Sequence, residues 1–212
     1  MSGEAVLSSG LHRERARGLF LRKLLCHGRV VASLAPSSRS LARAACRGVD
    51  PSRPQNIVEL GAGTGAVTEM ALARSHPRSR LLAVELDRDF AVLLRARCPG
   101  ALVVEGDASL LASHLRAANF GRVDLLISGL ALPSLPLQAR TAILEAYSSF
   151  ATLGAWFSQL TIMPLVFWRF YNRLFREVRF EWTLWNMPPA GVYHCRGLRS
   201  LVRSVEAWRG DP

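Results

Sequence analysis

Residues 59–65, Glu59-Leu60-Gly61-Ala62-Gly63-Thr64-Gly65, decide the fold of this chain. They end the short apolar run Asn56–Leu60 and precede a helical pattern, which places them where a buried strand turns into a helix. Glycines at such a turn let the main chain approach a ligand without interference from Cβ atoms. The stretch therefore predicts a strand–loop–helix unit with a polar ligand against the loop.

Two further apolar runs, Leu81–Glu85 and Ala101–Glu105, are each followed by turn residues and a helical pattern. This alternation predicts βαβ units and a parallel sheet. The remaining predicted elements are the helices Arg88–Arg97, Leu110–Ala118 and Leu137–Leu153 (ending at Gly154), the strands Val123–Ser128 and Ala155–Thr161, and a closing antiparallel hairpin of Val178–Trp185 and Ala190–Cys195. The predicted class is α/β, a doubly wound, Rossmann-like seven-stranded sheet that is parallel except for one C-terminal strand, with helices on both faces and an N-terminal amphipathic helical extension.

The glycine loop alone does not identify its ligand. Gly61, Gly63 and Ala66 also satisfy G-x-G-x-x-A, so a nicotinamide or flavin dinucleotide stays open at this point. Glu59, two residues before the first glycine, places a carboxylate near the loop. That carboxylate suits the ammonium of a methionine moiety and is a poor neighbour for a pyrophosphate, so Glu59 favours a cationic ligand.

Two more acids follow the next predicted strands. Glu85 closes the second strand, where a carboxylate can accept hydrogen bonds from both ribose hydroxyls. Asp107 lies just beyond the third strand and can accept from the exocyclic amine of an adenine. The alternative is that these acids only cap helices, as we expect of Asp87 for Arg88–Arg97. Taken together, the acids favour S-adenosylmethionine.

Composition indicates one globular domain with short appendages, since half of the 212 residues are hydrophobic. We divide the chain into N-terminal amphipathic, membrane-facing helices (1–50), a cofactor-binding core (51–196) and a C-terminal tail (197–212). The formal net charge of +11 points to an anionic partner such as nucleic acid or a lipid surface. The four cysteines and five histidines show no metal-ligand or Ser/His/Asp spacing, so we expect reduced thiols, no metal and no hydrolytic site. No signal peptide is recognised.

The sequence resembles the class I methyltransferases in the stretches Glu59–Gly65, Glu85-Leu86-Asp87 and Glu105-Gly106-Asp107-Ala108. It more closely resembles the bacterial phospholipid N-methyltransferases in Ala35-Pro36-Ser37-Ser38, Ser128-Gly129-Leu130-Ala131-Leu132 and Trp185-Asn186-Met187-Pro188-Pro189-Ala190. That resemblance implies stepwise methylation of phosphatidylethanolamine and its methylated derivatives toward phosphatidylcholine, with S-adenosylmethionine as cofactor. The expected cofactor-binding residues are Glu59, Gly61, Gly63, Gly65, Glu85, Leu86, Asp107, Ala108, Ser128, Gly129, Leu130, Ser37 and Ser38.

The alternative family is the ribosomal RNA adenine-N6 dimethyltransferases, which carry an Asn-Leu-Pro-Tyr type motif after the fourth strand. Here that place contains Ser128-Gly129-Leu130-Ala131. An adenine amine is a poor nucleophile and needs the amide and the aromatic ring of that motif, whereas an aliphatic amine attacks once it is deprotonated and correctly placed. The departure argues against a nucleobase substrate, and no nucleic-acid partner is expected.

Tyr193 and Trp185, which flank the Pro188-Pro189 turn, are the candidate catalytic residues. We expect them to orient the amine and to stabilise the growing ammonium by cation–π attraction; simple aromatic packing is the alternative. Ser37 and Ser38 begin an apparent helix, whose free amides suit a carboxylate or phosphate, and N-capping is the alternative there.

Two segments combine basic and apolar residues as membrane-facing helices do. Leu11–Ala32 carries six Arg or Lys against one Glu between Leu11 and Val30, which predicts a basic amphipathic helix on an anionic membrane surface. Pro164–Arg176 has aromatic and arginine faces at helical spacing, although a core helix or an RNA contact would share that pattern. We expect a cytoplasmic protein peripherally associated with the inner face of the cytoplasmic membrane.

Overall fold

The structure, a computed structural model, describes residues 39–163, 166–183 and 190–199. The predicted helix Leu11–Ala32 and the candidate residues Ser37, Ser38 and Trp185 lie outside these ranges. Within them, the strands are β1 (Asn56–Leu60), β2 (Arg80–Glu85), β3 (Leu102–Glu105), β4 (Val123–Ser128), β5 (Ala151–Thr161), β6 (Phe175–Thr183) and β7 (Ala190–Leu198). The helices are α1 (Arg39–Ala45), α2 (Ala66–Arg74), α3 (Arg88–Arg97), α4 (Leu111–Ala117), α5 (Leu137–Phe150) and α6 (Trp168–Leu174).

The described strands form one seven-stranded sheet in the order β3-β2-β1-β4-β5-β7-β6. Strands β1 to β5 pair in parallel, and β7 lies antiparallel between β5 and β6. The prediction of a parallel sheet with one antiparallel C-terminal strand is therefore confirmed. The order reverses between β1 and β4, so the loops after these two strands border a topological switch point, where ligands bind in open α/β sheets.

Helices cover both faces of the sheet, as the doubly wound prediction requires. On one face α1, α2 and α3 pack against residues such as Ile57 and Leu125, and on the other α4, α5 and α6 pack against residues such as Leu126 and Phe157. Alternate residues of each strand belong to opposite cores because successive side chains point to opposite faces. The same alternation decides which polar side chains lie on the same face of the sheet.

The second βα unit follows the sequence prediction closely. Helix α3 has the predicted bounds, and the Asp87 side chain caps it by accepting from the backbone N–H groups of Asp89 (2.9 Å) and Phe90 (3.2 Å). An N-cap carboxylate satisfies donors that have no partner within the helix. The local signals were sufficient here because capping involves neighbours in sequence.

The predicted helix Leu137–Leu153 is wrong at its C-terminal end. Helix α5 stops at Phe150, and β5 begins at Ala151, four residues before the predicted start. Gly154 has φ +82° inside β5, where the register with β4 shifts between Val123 and Leu125. A glycine at positive φ is equally typical of a helix C-terminus and of a β-bulge, and here it serves the bulge.

The predicted helix Pro164–Arg176 is also too long for the described residues. Helix α6 covers Trp168–Leu174, and Phe175 already begins β6 (Phe175–Thr183), before the predicted strand start at Val178. The predicted end of that strand at Trp185 lies outside the described residues. The antiparallel pair of β6 and β7 lies at one edge of the sheet, with β6 as the outermost strand. No helix among the described residues has the length and apolar character needed to cross a bilayer.

Candidate functional site

Main-chain hydrogen bonds tie the loops at the C-terminal ends of the strands to their neighbours. The backbone N–H of Gly61 donates to Val84 (2.9 Å), that of Gly106 to Glu85 (2.9 Å), and that of Gly129 to Leu60 (2.8 Å). Each loop is thereby fixed to the adjacent strand. The predicted cofactor loops after β1, β2, β3 and β4 consequently form one continuous rim.

The glycine loop adopts the left-handed conformations that its composition predicts. Gly61, Gly63 and Gly65 have φ of +70°, +53° and +83°, a region that side chains disfavour. A Cβ at Gly61 would lie 2.7 Å from Leu130 Cδ2 and one at Gly65 would lie 2.6 Å from Leu94 Cδ1. The loop is therefore packed closely against both the β4 loop and helix α3.

Glu85 lies at the centre of the rim. Its Oε2 accepts the backbone N–H of Gly63 (2.7 Å), and its Oε1 accepts that of Asp87 (2.9 Å). A carboxylate has about four lone-pair sites, so these two bonds leave acceptor capacity for the two hydroxyls of a ribose. Glu85 is more than a helix cap, because it joins the glycine loop to the end of β2.

Glu59 is buried against helix α2, where its Oε2 accepts the hydroxyl hydrogen of Thr68 at 2.7 Å. Burial raises the pKa of Glu59 to about 8, the Thr68 hydrogen bond opposes this shift, and the Glu85 carboxylate adds to it. A cation bound nearby would favour the ionised form of this acid and lower its pKa. The buried carboxyl therefore suits the methionine ammonium that the sequence predicted. The sequence did not predict the hydrogen bond between Glu59 and Thr68.

Asp107 is exposed at the end of the loop after β3. Its Oδ1 accepts the backbone N–H of Ser109 at 2.7 Å and caps the 3₁₀ turn Ala108–Leu110. Asp107 thus has the capping function that was the alternative to adenine binding, and its other oxygen takes part in no described hydrogen bond. Nearby, Leu86 is 70% exposed at the end of β2, an apolar surface suited to the face of an adenine ring.

Sequence reasoning missed an arginine that holds the glycine loop in place. Arg97 donates to both carboxylate oxygens of Glu69 (2.6 Å each) and to the carbonyl oxygen of Thr64 (2.8 Å). Bidentate pairs of this kind are geometrically restrictive. The three hydrogen bonds connect α3 with α2 and with the glycine loop, across 28 to 33 residues of sequence. No local sequence pattern predicts a contact at that separation.

Gln159 was also missed as a site residue. It is buried on β5 beside Ser128, and its Nε2 lies within hydrogen-bonding distance of the carbonyl oxygens of Ser128 (3.1 Å), Leu130 (2.6 Å) and Leu160 (2.9 Å). It therefore holds the predicted Ser128-Gly129-Leu130 loop. The long polar side chain of a glutamine in a strand predicted to be buried was the sequence signal that could have found it.

Tyr193 lies in β7, fully buried among aromatic rings. Tyr171 and Phe180 are each 4.7 Å from it between ring centroids, and Trp168 is 6.2 Å away. Burial raises the pKa of Tyr193 to about 12, and a hydrogen bond from the Phe167 backbone opposes this. The hydroxyl is accordingly protonated at neutral pH, and the proposed role in orienting an amine stays a prediction.

One Ser/His/acid grouping forms in the folded chain that the spacing along the sequence did not suggest. His194 lies 3.2 Å from Ser158 Oγ through Nδ1 and 3.2 Å from Glu181 Oε2 through Nε2. The grouping arises because β5, β7 and β6 are adjacent, which spacing along the chain does not reveal. Ser158 is completely buried, and burial lowers the pKa of His194.

The described residues contain no cluster of three or more His, Cys, Asp or Glu that could hold a metal ion. Cys46, Cys98 and Cys195 are free and buried. Burial raises the pKa of each thiol above its usual range, which makes reactive thiolates unfavourable at neutral pH.

The side chains at the rim fit S-adenosylmethionine. The glycine loop allows close approach of a ligand, Glu85 retains acceptor capacity beside it, and the buried carboxyl of Glu59 suits a cation. A dinucleotide pyrophosphate, being an anion, would not favour ionisation of Glu59 and would be repelled by the Glu85 carboxylate.

The chain is 41% identical over 184 residues to the ornithine lipid N-methyltransferase of Singulisphaera acidiphila, a match that covers 85% of this chain and 96% of that enzyme. The chain belongs to the same methyltransferase family. Its cofactor is S-adenosylmethionine. No protein-family model matches the sequence.

More distant relatives agree with the fold of this methyltransferase. Ribosomal RNA small subunit methyltransferase A of Burkholderia ambifaria is 37% identical over 105 residues, which is 49% of this chain but only 37% of that enzyme. Among solved structures, TrmN from Thermus thermophilus matches with a TM-score of 0.60 at 20% identity, covering 78% of this chain and 50% of that one. The O-methyltransferase from Bacillus cereus in complex with SAH matches with a TM-score of 0.58 at 12% identity, covering 85% and 89%. The two structures support the fold alone.

Proposed function

We propose that this methyltransferase transfers methyl groups to the amine of a lipid head group, with ornithine lipid as the favoured substrate. The observation that carries the proposal is the 41% identity to an ornithine lipid N-methyltransferase across nearly the whole of that enzyme. The β4 loop agrees with this substrate class, because Ser128-Gly129-Leu130-Ala131 contains neither the amide nor the aromatic side chain that a nucleobase amine requires.

The chemistry demands little from the protein beyond placement and deprotonation. S-adenosylmethionine, held by the glycine loop, Glu85 and Glu59, would supply an activated methyl group that an amine lone pair can accept as the methyl–sulfur bond breaks. The side-chain amine of an ornithine head group is aliphatic and mostly protonated near neutral pH, so a proton must leave it before each transfer. Correct alignment then accounts for much of the rate.

The residues of the rim divide this work. Gly61, Gly63 and Glu85 hold the nucleoside side of the cofactor, and Glu59 faces its ammonium. The loop Ser128–Leu130, held in place by Gln159, borders the position from which the amine approaches. The hydrogen bonds of Glu85 and Glu59 and the left-handed glycines of the loop support these roles.

Phosphatidylethanolamine is the second candidate substrate. Ser128-Gly129-Leu130-Ala131-Leu132 and the segment from Trp185 to Ala190 resemble the phospholipid N-methyltransferases, and the head group again presents a primary aliphatic amine. Two positions depart from the pattern of that family: Ala131 stands where a proline is common, and Met187 where a leucine is common. These departures concern which aminolipids the enzyme accepts.

We further propose that the protein acts at the inner face of the cytoplasmic membrane. Leu11–Ala32 is strongly basic and amphipathic in sequence. On the described residues, Val166 and Trp168 are exposed beside the exposed Arg169 and Arg173. Apolar and basic side chains together suit the interface of an anionic bilayer.

Deletion of residues 1–32 should reduce vesicle binding more than cofactor binding, and high salt should reproduce part of the loss.

The deciding experiment incubates the protein with labelled S-adenosylmethionine and, separately, vesicles with ornithine lipid, vesicles with phosphatidylethanolamine, and ribosomal RNA. We expect label in ornithine lipid, and chromatography of the products will count the methyl groups. Label only in phosphatidylethanolamine would transfer the assignment to the second candidate. Label only in RNA, or in none of the three, would refute lipid methylation.

A further inference from the structure

Gln159 has one buried atom that the described protein leaves unsatisfied. The residue is 1% exposed, and its Oε1 has no hydrogen-bond partner among the described residues. Leaving a buried acceptor unpaired is costly, and such atoms are uncommon in folded proteins. An unpaired oxygen at the carboxyl end of β5 therefore indicates an acceptor kept for a ligand.

The orientation of this amide is determined by its surroundings. Nε2 lies between the carbonyl oxygens of Ser128, Leu130 and Leu160 at 2.6 to 3.1 Å. A reversed amide would place Oε1 against three other acceptors, which is unfavourable. Oε1 must consequently be the free end.

The side chains on the same face of the sheet as Gln159 are suited to an amine. Its side chain points to the same face of the sheet as that of its cross-strand neighbour Tyr193, and the ring of Tyr193 packs on Tyr171. The Tyr171 hydroxyl is a second buried polar atom with no partner among the described residues. Carbonyl oxygens and aromatic faces are complementary to N–H donors that carry developing positive charge.

We propose that Gln159 Oε1 accepts an N–H from the head-group amine, and so distinguishes amines that still carry a proton from the fully methylated product. The inference rests on the proposed lipid N-methylation and adds a specificity-determining residue to it. A primary amine offers N–H donors to Oε1, whereas a quaternary ammonium offers none. Binding should therefore favour substrate over the final product, which assists product release.

The test compares the affinity of the wild type and of Gln159→Met for two lipids, by calorimetry with detergent micelles in the presence of S-adenosylhomocysteine. The lipids are ornithine lipid and its chemically trimethylated form. If the wild type methylates phosphatidylethanolamine instead, the lipids are phosphatidylethanolamine and phosphatidylcholine. We expect the wild type to prefer the unmethylated lipid by about ten- to a hundredfold, as for a hydrogen bond to a charged group, and the variant to lose that preference. Methionine has nearly the length of glutamine and no strong acceptor.

Ser158→Ala is the matched control, because Ser158 is adjacent on β5 and its side chain faces the other side of the sheet, toward His194. It should retain the preference. A wild type without preference, or a Gln159→Met protein that keeps it, would overturn the inference even where methyl transfer to lipid is observed. A wild type that methylates no aminolipid would instead refute the proposed function.

A second measurement on the wild type applies if Gln159→Met does not fold. The mono- and dimethylated lipids keep an N–H when protonated, so the affinity should stay near that of the unmethylated lipid and fall only at the trimethylated form. An affinity that falls evenly with each added methyl group would overturn the inference.

Discussion

The two halves of the sheet contribute different chemistry. The half formed by β1, β2 and β3 carries the acids Glu59 and Glu85, which make their contacts with nearby loops and helices. The half formed by β5, β7 and β6 carries a buried amide and packed aromatic rings, whose contacts join segments that are far apart in sequence. In the proposed function, the first half recognises the charged nucleoside cofactor, and the second half surrounds the substrate amine with neutral acceptors and rings. Variants in the first half should therefore change cofactor affinity, and variants in the second should leave it unchanged.

Glu85→Ala should give the largest loss of cofactor binding. It removes the acceptor for the Gly63 and Asp87 amides together with the proposed ribose contacts. Hydrogen bonds to a charged group contribute about 1.5–3 kcal/mol each, so we expect S-adenosylmethionine affinity to fall by about a hundredfold or more in calorimetry. Glu105→Ala is the control, because Glu105 is the register partner of Glu85 on β3 and makes only an exposed contact with Arg95 at 3.8 Å. Equal effects of the two variants would remove Glu85 from the cofactor site.

Glu59→Gln should change the pH dependence of stability. The folded-state pKa of Glu59 is raised from 4.5 to about 8, so between these values the folded protein binds a proton that the unfolded chain releases. The free energy of unfolding should therefore fall as pH rises through this window, by up to about 1.4 kcal/mol per pH unit. The glutamine variant lacks this component of the slope, which denaturant titrations at pH 5, 6, 7 and 8 will measure as a difference from the wild type.

The same acid predicts a proton linkage to the cofactor. If the ammonium lies beside Glu59, binding near pH 7 should release a proton, and the binding enthalpy should depend on the ionisation enthalpy of the buffer. Two results together would contradict a raised pKa of Glu59 beside the ammonium. The wild type and Glu59→Gln would show the same slope of unfolding free energy against pH, and the binding enthalpy would not depend on the buffer.

Gly61→Ala tests the close packing between the glycine loop and the β4 loop. Its φ of +70° lies where a side chain costs about 1–2 kcal/mol, and the added methyl would push Leu130 aside. We expect a lower free energy of unfolding by about that amount, together with weaker cofactor binding. Gly121→Ala is the control, since no atom lies within 4 Å of its added Cβ. A Gly61→Ala protein as stable as this control would show that the loop relaxes freely.

The same division explains what the sequence could predict. The bounds of β1, β4 and α3, the Asp87 cap and the positions of Glu59 and Glu85 follow from local patterns and from the rule that parallel strand ends meet at one edge. Gly154 was misassigned because positive φ fits a helix end and a bulge equally well. The contacts of Arg97 and Gln159, and the Ser158–His194–Glu181 grouping, depend on strand order and register over long separations. Nothing local encodes that information.

Tyr193→Phe should have the smallest effect and the most selective one. It keeps the aromatic ring that packs on Tyr171 and Phe180 and removes only the hydroxyl, which accepts from the Phe167 backbone. A neutral hydrogen bond contributes about 1 kcal/mol, so lipid methylation should fall about fivefold while S-adenosylmethionine affinity stays at the wild-type value. Tyr193→Leu removes the ring as well and should lower methylation further, because cation–π attraction to the developing ammonium is lost. A fall in cofactor affinity equal to the fall in turnover would show that β7 supports the nucleoside site, and the two halves of the sheet would then not be separable in function.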